Sequence, residues 1–323
     1  MFLGLPTALH SLISLILWNS TPSPSTITPS LTFHLRHHHA TANDSRILFS
    51  DIDSTASFAQ EETLFSIPTT TGKVYKPRSI EAFHTARRNP RQGFTPALDW
   101  DDWDIASPDL SKKDTVLSLA KMSLNAYAAD NATGDWYDIS DTYKNSPYGW
   151  EPEAVGMRGH VFVSTDNSTV VISIKGTSAG WMVGGGGPTV GQDKKNDNLM
   201  FSCCCARVGP TWSTVCDCFD GGYRCDRQCL HDALREEGLF YPTGLVSTLL
   251  LNMYIVINYS KQQNLYNNVS YLYPNANIWM TGHSLGGGLA SLVGITFGVP
   301  VVAFEAPAER MAAQRLHLPS PVS

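Results

Sequence analysis

Asn277-Ile278-Trp279-Met280-Thr281-Gly282-His283-Ser284-Leu285-Gly286-Gly287 places a short apolar strand (278–281) directly before a Gly-x-Ser-x-Gly turn. Leu289, Ala290, Leu292 and Val293 then supply a helix, and Val299-Pro300-Val301-Val302-Ala303-Phe304 a second apolar strand. A lone Gly-x-Ser-x-Gly recurs by chance. Strand, turn, helix and strand in that order predict an α/β fold with Ser284 as a nucleophile. The glycines have a mechanical reason: neighbours without Cβ let strand and helix approach closely around a strained serine. The turn lifts the serine oxygen above the sheet, and the helix N-terminus offers N–H groups and a positive dipole end to a developing oxyanion.

Composition narrows the rest. The chain has 323 residues, 42% of them hydrophobic, enough for one large α/β domain with additions. A net charge of −6 without a basic stripe argues against a nucleic-acid partner. All seven cysteines fall between Cys203 and Cys229, which suggests an oxidising compartment. Sequons at Asn19, Asn43, Asn131, Asn167, Asn258 and Asn268 point the same way, so a lumenal or secreted chain is expected.

The N-terminal residues 1–18 form an apolar run that reads either as a signal-anchor or as a cleaved signal, with no flanking Lys or Arg before it to orient it. Residues 19–96, rich in Ser, Thr and Pro, read as a lumenal stalk and lead-in with extended, poorly packed backbone. His37-His38-His39 within it is read as solvated linker rather than a metal cluster, because three consecutive side chains cannot converge on one ion. Trp100-Asp101-Asp102-Trp103-Asp104 reads as a solvated turn at the entry to a hydrolase domain over residues 97–323. A helix is predicted over 111–127, capped by Ser111 with Asp114 in capping-box spacing, and with Leu117, Ala120, Leu124 and Tyr127 on one face. Residues 160–164 and 170–175 read as a hairpin turning at Asp166-Asn167. Thr177, just after its second strand, stands where a hydrolase places a second oxyanion donor, although turn chemistry explains it as well.

Trp181-Met182-Val183 and the glycines at 184–187 suggest a mobile apolar loop with glycine hinges; no phosphate-loop Lys follows them. The cysteines lack the paired Cys-x₂-Cys knuckles of zinc sites and predict a disulfide-stapled insertion, with one of the odd number left over. Residues 245–257 are too short to span a bilayer and read as a buried helix. No metal and no cofactor are expected.

Four stretches carry a family resemblance: Asp197-Asn198-Leu199-Met200-Phe201-Ser202-Cys203-Cys204-Cys205-Ala206-Arg207-Val208-Gly209-Pro210, Gly221-Gly222-Tyr223-Arg224-Cys225-Asp226, the segment 282–287, and Phe304-Glu305-Ala306-Pro307. With these the chain resembles the fungal autophagic lipases, vacuolar phospholipases of the class 3 lipase type, over roughly residues 100–323. The resemblance implies an α/β-hydrolase fold with a Cys-rich insertion. It also implies a single-pass anchor and a route through endoplasmic reticulum, Golgi and multivesicular bodies to the vacuole. Implied substrates are triacylglycerols and phospholipids, phosphatidylserine included; the implied role is lysis of autophagic bodies; implied partners are membrane lipids and phosphoinositides. Ser284 matches the nucleophile, Leu285 the residue whose backbone N–H serves the oxyanion, and Thr177 the hydroxyl residue after the preceding core strand. Asn131, Asn167, Asn258 and Asn268 are the expected glycosylation positions.

There are departures from the family pattern. The matching Asp and His of a triad are expected beyond residue 319, and after Ser284 the chain offers only Glu305, Glu309 and His317 in the formal order acid then base. The fold is therefore expected to be incomplete at its C-terminal side, with an apolar sheet edge. Residues 244–262 look like additional sequence, and Gly288 and Ala308 stand where Ala and Gly are expected. The rival to a lipase is a catalytically dead lipid-binding or membrane-tethered module. A secreted esterase or thioesterase would share the chemistry.

Overall fold

The structure is a computed structural model, and it describes residues 30–41, 47–51, 65–88, 98–127, 157–177, 190–201, 218, 220–221, 224–233 and 265–321. In chain order the elements are β1 (Ser30–Thr41), β2 (Ile47–Asp51), β3 (Phe65–Pro77), α1 (Ile80–Arg88), β4 (Trp100–Pro108), α2 (Lys113–Asn125), β5 (Arg158–Ser164), β6 (Thr169–Ile174), α3 (Val190–Phe201), α4 (Arg227–Ala233), α5 (Leu265–Leu272), β7 (Asn277–His283), α6 (Leu285–Phe297), β8 (Val301–Phe304) and α7 (Glu309–Arg315).

The strands form one mixed eight-stranded sheet in the order β4-β3-β1-β5-β6-β7-β8, with β2 paired to β1. β5 and β6 form the predicted antiparallel hairpin, and Asn167 in its turn has φ 56°, a left-handed conformation that Asn tolerates. β7 pairs parallel to β6 and β8 parallel to β7, so the serine strand is central to the parallel part.

Strict alternation splits the strand side chains between two layers. Val161, Val163, Val170, Ile172, Ile174, Ile278 and Met280 face α6 and the helices around it. Phe162, Val171 and Trp279 point to the opposite face, where they meet Leu119 and Met122 of α2 together with Phe33 and Ile67. Burying a side chain such as Phe33 or Met122 contributes roughly 1.5–3 kcal/mol. β3 pairs with β1 only through Phe65–Pro68 and with β4 from Thr69 onward. The resulting ribbon reaches the α2 layer: Trp279 Nε1–H donates to Ala106 O of β4 at 2.8 Å.

Several expectations need correction. Residues 19–96 are not a stalk throughout, because β1 and β3 are integral strands of the sheet and Phe33 and Ile67 are fully buried. His37 is buried in β1; its Nδ1 lies 2.7 Å from Asp51 Oδ1, and its Nε2 is hydrogen-bonded to the Tyr273 hydroxyl. The acidic run 100–104 is strand, not turn: Lys73 and Arg78 pair with Asp102 and Asp101 across the ribbon. Ser111 does not cap α2. Lys112 holds that position, and Asp109 Oδ1 instead accepts from the Ser111 N–H and hydroxyl. The buried face of α2 is Thr115, Leu119, Met122 and Ser123, while Leu117 is 46% exposed. Of the predicted face only Leu117 is exposed; Ala120, Leu124 and Tyr127 are half-buried at the border of the buried one.

The cysteine staple is present in part: Cys218 and Cys229 form a disulfide at the start of α4. Residues 203–205 and 216, the apolar loop at 181–187, the segment 245–257, the N-terminal run and the sequons at Asn131 and Asn258 lie outside the described residues. Asn167 is exposed and Asn268 half-buried on α5. No described helix is long and apolar enough to cross a membrane.

Candidate active site

Ser284 joins β7 to α6 with φ 54° and ψ −130°, a region L-residues rarely occupy. Two backbone bonds hold it there. Its N–H donates to Phe304 O of β8 at 3.0 Å, and its carbonyl accepts from Gly288 N–H at 3.1 Å. The turn is possible because α6 enters on glycine: a Cβ on Gly286 would collide with Ile174 O at the end of β6. Ser284 stands at the N-cap of α6 yet makes no side-chain cap bond. The first N–H groups of α6, Leu285 among them, are thus left without the usual side-chain acceptor, as an oxyanion pocket requires.

The end of β6 lies beside the elbow. Gly176 leaves room for it, since a Cβ there would stand 3.1 Å from Ser284 Cβ. Thr177 follows directly, half-buried, with its hydroxyl toward Asp197 Oδ2 of α3 at 3.5 Å. Burial raises the Asp197 carboxyl above its usual range, against the opposing effect of the Thr177 bond.

Four neighbouring side chains carry no obvious sequence signal. The Tyr127 hydroxyl, just beyond α2, contacts His283 Nδ1 at 2.9 Å, and His283 immediately precedes the serine. Burial pushes the Tyr127 phenol well up, so it stays protonated. Lys175 Nζ is buried over the Tyr127 ring, 5.6 Å from its centre, 2.8 Å from Asp193 Oδ2 and 3.0 Å from Gly176 O. Desolvation lowers the Lys175 ammonium, while the carboxylate of Asp193 opposes that shift. Arg158 is pushed down to about 10, chiefly by burial. Lys175, Tyr127 and Asp193 were missed because a lysine ending an apolar strand, a tyrosine ending a helix and an aspartate in a polar helix look like surface residues. A partial cue existed in α3, whose apolar residues do not form one stripe: Asp193, Asn196 and Asn198 are its buried polar residues.

The formal acid–base order is not assembled at the serine. Glu305, with φ 46°, is mostly exposed and faces His283 Nε2 at 3.6 Å rather than His317. His317 closes the turn after α7, where its N–H donates to Gln314 O. Among the described residues no hydrogen bond joins the Ser284 hydroxyl to an imidazole.

The profile of the family "Lipase (class 3)" matches residues 220–306. The chain is 51% identical over 226 residues to the protein named "Putative lipase ATG15" of Cryptococcus neoformans, covering 70% of this chain and 40% of that protein. It is 43% identical over 291 residues to the protein of the same name of Mycosarcoma maydis, covering 88% of this chain and 51% of the relative. Among solved structures the Lip2 lipase from Yarrowia lipolytica is 15% identical, with a TM-score of 0.27 over 62% of this chain and 61% of its own. The chain thus spans about half the length, or less, of the curated relatives it matches. Strand, strained serine and glycine-entered helix, with the class 3 match across them, define an α/β-hydrolase of the lipase type. Within that class, the chain belongs to the fungal autophagic lipase family.

Proposed function

We propose that this chain carries the nucleophile and oxyanion pocket of a lumenal serine lipase. Ser284 Oγ attacks the ester carbonyl carbon of a lipid as its proton passes to a base. The tetrahedral intermediate collapses as the base hands that proton to the glycerol oxygen, which leaves as an alcohol, and an acyl-enzyme remains for water to hydrolyse. The N–H groups of Leu285 and Thr177 receive the oxyanion, and the dipole of α6 adds to them. Among the described residues no imidazole is hydrogen-bonded to Ser284 to serve as that base. The observation that carries the proposal is the left-handed Ser284 at an uncapped helix N-terminus, packed against Gly176.

The substrates we infer are triacylglycerols and phospholipids, phosphatidylserine among them. The role is lysis of autophagic and multivesicular bodies in the vacuole, by a single-pass membrane protein arriving through endoplasmic reticulum, Golgi and endosomes. Membrane lipids, phosphoinositides included, are the partners. The support is the family membership and the relatives' names, together with the sequons and the apolar N-terminal run.

Fluorophosphonate labelling tests the chemistry: the full-length protein should label, and Ser284→Ala should lose the label entirely. Unchanged labelling of the alanine variant would remove the reading. The lack of an imidazole on Ser284 among the described residues favours the second reading, a non-catalytic lipid-binding module, which predicts no labelling of either form.

A further inference from the structure

We propose that the outward face of α2 is a docking surface for an anionic phospholipid bilayer. Helix α2 is apolar on both sides. Its inner side packs on the sheet, whereas Val116 and Leu117 on its outer side are 36% and 46% exposed, joined by Leu110 of the preceding turn at 53%. Scattered exposed apolar residues are ordinary, but here three occur within eight positions and stand among lysines. Lys113 lies one turn before Leu117 and Lys121 one turn after it, with Lys112 at the N-cap; none of the three makes an ion pair. The acidic residues nearby are Asp114 and Asp109; Asp109 accepts from Ser111 and is also attracted to Lys112, so the lysines outnumber the carboxylates by one.

Apolar side chains at the height of the acyl boundary, with lysine stems running past them to the headgroups, suit an interface rather than a protein pocket. The cations select an anionic surface. The helix leads to Tyr127, which contacts the residue before Ser284, so α2 joins the proposed face to the elbow. The choice of a lipid surface rests in part on the lipase reading, and the test separates the two.

Full-length Ser284→Ala protein, which cannot turn over lipid, is mixed with phosphatidylcholine vesicles with and without phosphatidylglycerol. Hydrogen–deuterium exchange of residues 109–121 is the readout, so attachment through another segment does not count. Phosphatidylglycerol vesicles should slow exchange there, and added salt should weaken the effect. Leu110→Asp with Leu117→Asp should weaken the vesicle-dependent protection at least tenfold at unchanged melting temperature. Lys112→Glu with Lys113→Glu and Lys121→Glu should abolish the preference for the anionic vesicles. The milder Leu117→Ala should give an intermediate loss and guards against a folding defect. Exchange at 109–121 that ignores vesicles overturns the proposal, as does protection that survives both sets of substitutions. A concentration-dependent dimer broken by Leu117→Asp would instead assign the face to a second copy of the chain. Failure of wild-type fluorophosphonate labelling would end the lipase reading and leave the vesicle result standing.

Discussion

Ser284 occupies a backbone conformation that costs of order 1–3 kcal/mol for a side-chain-bearing residue, and it persists because neighbours over-determine it. Tyr127 is one of those neighbours, since its hydroxyl reaches His283 and lies against Gly176, joining the serine strand to the strand end that bears Thr177. Tyr127→Phe keeps the ring and the Lys175 ammonium above it but loses the hydroxyl. On the lipase reading, kcat on a soluble ester should fall about tenfold with KM little changed, as for loss of one positioning hydrogen bond. An unchanged kcat would reduce Tyr127 to packing. Asp197 gives a pH prediction. Its folded pKa is raised by burial, so the folded state holds the proton more tightly than the unfolded chain. Stability from this group is fully present below the ordinary carboxylate pKa and lost as pH rises through the folded one. Asp197→Asn lacks that loss. Its melting temperature relative to wild type should rise with pH from the ordinary carboxylate range upward, and thermal unfolding across pH checks the sign.

At the scale of elements, α2 and β7 are joined by a buried polar relay. Thr281 Oγ1–H donates to Val302 O at 2.8 Å, and Ser123 Oγ stands 2.7 Å from Thr281 Oγ1. Nearby, Ser173 donates to Met122 O at 2.8 Å, so three hydroxyls fix the helix over the sheet face. A double-mutant cycle with Ser123→Ala and Thr281→Val should return a coupling of about 1 kcal/mol in urea unfolding. Strict additivity would mean that the two oxygens are close without being bonded. The buried Lys175–Asp193 pair works similarly between β6 and α3, two side chains only 5% and 3% exposed. Removing one partner of such a pair leaves a bare buried charge, so Asp193→Ala is expected to destabilise the packing of α3 beside Thr177.

Across the whole molecule, β1 extends the serine's sheet beyond β5, and the β3–β4 ribbon reaches both Trp279 of β7 and the C-terminal end of α6, where Tyr75 O lies against Gly298. Trp279 marks the junction: fully buried in β7, it contacts Phe33 of β1 at 5.5 Å between ring centres and donates to Ala106 O of β4. Trp279→Phe retains much of the packing but leaves that carbonyl without its donor. A loss of about 1–3 kcal/mol in chemical unfolding is expected, with faster hydrogen exchange along β4. Unaltered exchange in β4 would show that the ribbon is held without Trp279.

The sequence by itself determined the local units whose patterns are self-contained. The elbow strand, its glycines and the helix after it could be read because each requirement lies within a few residues of the next. The β5–β6 hairpin was legible for the same reason, through alternation on both sides of Asp166-Asn167. Only the tertiary structure decided the partners. Residues 30–41 carry histidines and look like solvated linker, yet become a core strand because β5 pairs along one side while β3 pairs with residues 30–33 and β2 with residues 37–41 on the other. Helix α2 had apolar residues on two faces, and the sheet buried Leu119 and Met122 rather than Leu117. Tyr127, Lys175 and the α3 residues Asp193 and Asp197 come from three distant parts of the chain, and their meeting near Ser284 depends on long-range packing that local spacing does not encode. A charge or hydroxyl acquires its role when burial removes water and leaves one particular partner, and that is settled by the fold rather than by neighbours in the chain.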